Sequence, residues 1–188
     1  MRPRSFGFRL GVGLLLLATA DTASAQRHHD PFTAEEIEQI RDASWEPQQR
    51  LSLYLKFART RLATLMEMRS DPKAKNRARQ THDALDDFLL IYDELNDNID
   101  TYIDRKNDIR KPLRLIVDAD TEFQAKLRAL KDAADVAPEE AKQYEFVLTN
   151  TLDTLDTSAD DHRKLLAEQE EAGKHKKKFE KATGGKAE

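Results

Sequence analysis

The sequence predicts an all-α protein, an antiparallel four-helix bundle preceded by a short N-terminal helix, on three observations. From Leu85 to Leu130, apolar residues recur three and four apart. Leu85, Phe88, Tyr92, Leu95, Ile99, Tyr102, Ile109, Leu113, Ile116, Phe123, Leu127 and Leu130 share one helical seam, interrupted only by Lys106 and Asp120. No glycine occurs between Gly13 and Gly173, and no stretch alternates as a half-buried strand would. Prolines at 47, 72, 112 and 138 fall where helices of ordinary length would start or stop.

The first 25 residues read as a secretory signal peptide. Arg2, Arg4 and Arg9 precede an apolar run from Leu10 to Ala20, and Ala23-Ser24-Ala25 supplies small residues for cleavage. That run is about half the roughly 20 residues needed to cross a bilayer. Cleavage after Ala25 starts the chain at Gln26 and places it in a periplasm or outside the cell. Residues 26–32 are then a flexible leader, 33–172 the bundle domain and 173–188 a Lys-rich flexible tail. With no cysteine, the chain has neither disulfides nor a thiolate site, so its stability rests on its core.

The formal charge is -4. Removing residues 1–25 takes away three Arg and one Asp and leaves -6; residues 173–188 hold six Lys against two Glu, so residues 26–172 carry -10. An acidic body with a basic end excludes a nucleic-acid-binding body.

Each element has its own signal. Thr33-Ala34-Glu35-Glu36 fits a capping box opening a helix from about Ala34 to Asp42, with Ile37 and Ile40 on one side. Pro47 opens a helix to about Arg69, with Leu51, Tyr54, Leu55, Ala58, Leu62, Leu65 and Met66 as its main face and Leu53, Phe57 and Met68 widening it enough for several neighbours. A third helix starts near Lys73 and reaches at least Lys106. A turn at 105–112 would let Asp108 cap a fourth helix with Pro112 in its first turn. The alternative is three long helices, the middle one kinked at Pro112, since the seam register passes through unbroken and no glycine closes the third helix. The bundle is preferred because the wide faces need partners. Pro138-Glu139-Glu140 opens the last helix, carrying Ala141, Tyr144, Leu148, Leu152, Leu155, Ala159, His162 and Leu166 and ending near Gly173.

The residues that could carry chemistry are few. Asp83 with Asp87, Asp93 with Asp97, and Asp100 with Asp104 and Asp108 are four apart. Such pairs resemble those of phosphate-signalling regulators of the PhoU type, which are cytoplasmic; here a solvated acidic face accounts for them. No Glu-x-x-His pair of a di-iron bundle occurs. For a haem, Met66 and Met68 fall at the wrong end relative to His162. His82 and His162 are read as partly buried seam residues at different heights, unable to share a metal. Asp120 on the seam calls for a buried polar partner, expected near Leu152 at Thr149, Asn150 or Thr151. Ser158 and His162 share a helix face, which offers no oxyanion donors.

If the chain starts at Gln26, then Gln26-Arg27-His28 matches an amino-terminal copper or nickel motif, with His28 completing a square-planar nitrogen set. Lys174, Lys176, Lys177 and Lys178 could make weak contact with an anionic surface. Phe32-Thr33-Ala34-Glu35-Glu36 resembles the Leu-Thr-x-x-Gln motif of small periplasmic helical chaperones, over residues the capping box also explains. The expected function is that of an exported, non-enzymatic protein-interaction or chaperone-like envelope module without a cofactor, binding a protein partner or itself through the wide face of the second helix and Ile37/Ile40. The alternative is a periplasmic ligand- or metal-binding bundle using the acids of the third helix and the Gln26-Arg27-His28 terminus.

Overall fold

Thr33 caps the first helix as its spacing requires: its hydroxyl accepts the Glu36 amide and the Glu36 carboxylate accepts the Thr33 amide. The computed structural model describes residues 30–183 apart from 72 and 135, with side chains as far as 175. Residues 1–25, read above as a signal peptide, and His28 lie outside the described residues. Those residues form six helices and no strand: α1 (Ala34–Asp42), α2 (Pro47–Ser70), α3 (Arg77–Asp104), α4 (Arg110–Lys131), α5 (Pro138–Ala141) and α6 (Glu145–Thr183). The four long helices form the bundle. No described helix is long and apolar enough to cross a membrane.

All twelve apolar seam residues are buried. At roughly 1.5–3 kcal/mol for each fully buried large apolar side chain, they are a principal source of stability. α2 packs chiefly along α3 and α4 chiefly along α6, and the two pairs meet through α2 with α4 and α3 with α6. α3 and α4 therefore face each other across the core, where Phe88 and Phe123 meet edge-on at 5.2 Å. Arg114 with Glu170, Asp120 with His162 and Arg128 with Asp156 descend one helix as they climb the other, so α4 and α6 are antiparallel.

The chain turns at 105–109, which decides against one kinked helix. Lys106 takes a left-handed conformation at φ 59°, its amide donates to the Ile103 carbonyl and the Asn107 amide to the Tyr102 carbonyl. This is the glycine-type helix close performed by a lysine. The seam passes through it because α3 and α4 look onto one core from opposite sides. Asp108 accepts the Arg110 amide at 3.2 Å, although Ile109 is the cap residue, and Pro112 lies in the first turn.

Several helix limits differ from the sequence reading, and α3 ends at Asp104, short of Lys106. α3 begins at Arg77 rather than near Lys73, after Asn76 adopts φ 55°. α6 does not end near Gly173 but continues to Thr183. Gly173 sits inside the helix, where a Cβ would meet only the Arg110 guanidinium, the movable end of a long side chain.

Candidate functional site

The most enclosed polar group in the described chain joins three helices. Asp120 of α4 is fully buried and accepts the Tyr92 hydroxyl of α3 at 2.7 Å, while its other oxygen lies 2.9 Å from His162 Nδ1 of α6. The Tyr92 and His162 rings stand 6.3 Å apart, edge to face. One turn along α3, Asn96 donates to the Ser158 hydroxyl at 2.9 Å. Burial, followed by the Asp120 charge and hydrogen bond, pushes the Tyr92 phenol far above its ordinary range. Tyr92 is therefore a donor that holds its proton.

Asp120 thus finds Tyr92 and His162, not Thr149, Asn150 or Thr151. The reason is the α4–α6 connection: α5 and the turn at 142–144 lengthen it, so the hairpin reverses near Ala141 instead of at Val136. Thr151 turns inward but donates to its own helix, at the Val147 carbonyl. His162 is buried as expected, whereas His82 is exposed and lies 3.4 Å from Asp83. Ser158 and His162 are engaged with different partners, Asn96 and Asp120. The trio is a registry device: an apolar misfit at any of the three positions leaves a buried polar atom without its partner.

The acids of α3 do not converge. Asp83, Asp93, Glu94, Asp97, Asp100 and Asp104 are exposed, and among the described residues no group of three or more His, Asp or Glu is placed to hold a metal ion. Asp93 is exposed as a residue, but its carboxyl is partly shielded from water, and that desolvation, with the Asp97 and Glu94 charges beside it, pushes it above the usual range.

Three groups that sequence spacing did not single out pin the rest of the frame. Arg61 of α2 reaches Glu36 Oε1 at 3.0 Å and the Pro31 carbonyl at 2.6 Å, holding α1 and the entering chain on α2. Burial opposes the Glu36 charge, but Arg61 and the Thr33 amide outweigh it and keep the carboxyl below its ordinary value. Arg69, its side chain nearly buried, donates to Thr81 and to Glu140, each at 3.0 Å, and lies over the Tyr144 ring. Gln169 clamps the α3–α4 turn, accepting the Ile109 amide at 3.1 Å and donating to the Asn107 carbonyl at 2.9 Å. Each pairs residues far apart in sequence, which spacing within one helix does not reveal.

The surface offers a cleft and isolated aromatics. A cleft of about 440 Å³ between α1, α2 and α3 is lined by Phe32, Ile37, Ile40, Tyr54 and Leu90, with Asp30 and Glu94 at its acidic edge. Trp45, in the α1–α2 turn, is 90% exposed, and Phe146 near the start of α6 is 85% exposed. Most of the wide face of α2 is not at the surface: Leu51, Tyr54, Leu55, Phe57, Ala58, Leu62 and Leu65 are buried in the bundle, and Leu53, Met66 and Met68 are partly buried against it. Comparison with protein families, curated proteins and solved structures finds no match.

Proposed function

We propose that the chain is an exported, non-enzymatic helical bundle that binds extended or partly unfolded protein segments, a chaperone-like role in a cell envelope. The observation that carries this reading is the apolar cleft between α1 and α3, with Ile37 half open at its wall. A cleft of that size takes one or two apolar anchors, and its acidic edge favours a partner with basic residues beside them. Trp45 lies in the turn that follows the α1 wall, and tryptophan is enriched at binding surfaces because it offers large contact area at little entropic cost. The docking surface is thus α1 and its neighbours rather than the buried face of α2.

Trp45 is the only tryptophan in the chain, so intrinsic emission reports on it alone. The test is to titrate the protein with a reduced, unfolded client protein that lacks tryptophan while following Trp45 emission and client light scattering. Binding blue-shifts the emission and suppresses client aggregation, and Ile37→Glu weakens both while leaving the helical signal intact. Unchanged emission together with unchanged aggregation would sink the proposal. Export is tested separately, by sequencing the amino terminus of the protein recovered outside the cytoplasm.

A further inference from the structure

We propose that the C-terminal part of α6 docks the protein on anionic lipid surfaces through Lys174, Lys177, Lys178 and Lys181. Gln169 and Gly173 meet the α3–α4 turn, and from there the helix continues through ten residues to Thr183, roughly 15 Å further at 1.5 Å per residue. The four lysines fall at i, i+3, i+4 and i+7, so an α-helix carries them along one side.

Helix stability does not account for this stripe. Like charges three and four apart destabilise a helix, and only Lys181 falls in the last turn, where the helix dipole rewards a cation. Glu170 draws Lys174 and Glu180 lies three residues after Lys177, but Lys178 and Lys181 have no acid three or four residues away. A surface of opposite charge relieves the repulsion that solvent only screens.

Charge also selects the occupant and its orientation. The acidic body is repelled by an anionic bilayer while the end of α6 is drawn to it, so the protein approaches end-on. No arginine follows Arg163. Lysines are point charges suited to a fluid field of headgroups, whereas fixed bidentate recognition of a phosphate calls for arginine.

The experiment is sedimentation of the full-length chain with phosphatidylcholine vesicles, with or without phosphatidylglycerol; residues 1–32, with Arg2, Arg4, Arg9 and Arg27, are the same in every variant, so differences between variants isolate the stripe. Binding is expected to rise with phosphatidylglycerol and fall with salt. At roughly fivefold per lysine, replacing all four by glutamine lowers the anion-dependent affinity on the order of 10²-fold or more. Replacing Lys56, Lys75, Lys131 and Lys142 removes the same charge elsewhere and leaves binding nearly intact, as does exchanging the four stripe lysines for arginine. Equal losses in the two glutamine variants, no gain from phosphatidylglycerol, or binding to soluble polyphosphate or DNA in preference to vesicles would each overturn the proposal. Ile37 and Trp45 are untouched in the stripe variant, so the client assay distinguishes failure here from failure of the protein-binding role.

Discussion

Removing the Tyr92 hydroxyl leaves Asp120 buried with one hydrogen bond fewer, so Tyr92→Phe is expected to cost about 1–3 kcal/mol in denaturant unfolding. His162→Ala removes a close partner of a buried carboxylate and is expected to cost about 3–5 kcal/mol. Replacing the three groups together, as Tyr92→Phe, Asp120→Leu and His162→Leu, is expected to recover most of that loss, because no polar atom is then stranded. A triple variant as unstable as His162→Ala would show that the trio contributes more than registry. Asp120 was visible as an acid on an apolar seam, and its need for a partner followed from burial cost alone. Its partners were not visible, since a hydrogen bond between α4 and α6 depends on how many residues the connection consumes.

At the scale of the element, the α3–α4 turn shows why local rules underdetermine a helix end. Lys106 occupies a left-handed position at a cost of about 1–2 kcal/mol, and Gly there gives back part of it through the greater freedom of the unfolded chain. Lys106→Gly is therefore expected to stabilise the protein by about 0.5–1 kcal/mol, read as a higher denaturant midpoint. Gln169→Ala removes both clamping hydrogen bonds and is expected to cost about 1–3 kcal/mol, with faster amide exchange at Ile109 as a specific readout. The capping box of α1 was legible because all its parts lie within four residues. The turn at 105–112 was preferred because the wide apolar faces need partners, but how it closes was not legible, because Lys106 takes the glycine conformation and Gln169, 60 residues from Ile109, clamps it.

For the whole molecule, the charged frame sets the response to pH. Glu36 has a folded pKa below its ordinary 4.5, so its stabilisation is complete above that value and is lost as pH falls through the folded one. Asp108, lowered to about 2 by the Arg110 hydrogen bond, extends the loss from near 3.8 down to about 2. Acid unfolding is expected to begin near pH 4.5, and Glu36→Gln flattens its upper part in circular dichroism. Tyr92 works in the opposite sense: its folded pKa is raised, so its contribution is complete below about 10 and is lost as pH rises beyond it. A cooperative unfolding in base, accompanied by late tyrosinate absorbance, is the expected sign.

The sequence by itself determined the all-helical class, the seam, the short capped first helix and the acidic body with its basic end. These follow from spacing, composition and caps, which act over a few residues. Only the tertiary structure decided that residues 105–109 turn, that α6 continues past Gly173, that Asp120 meets Tyr92 and His162, and that the broad face of α2 is buried. The turn, the partners of Asp120 and the covered face of α2 depend on what another helix presents opposite, at Gln169, across the core and in α3, and the balance of burial against loop length that brings those residues together is settled only when the chain has folded.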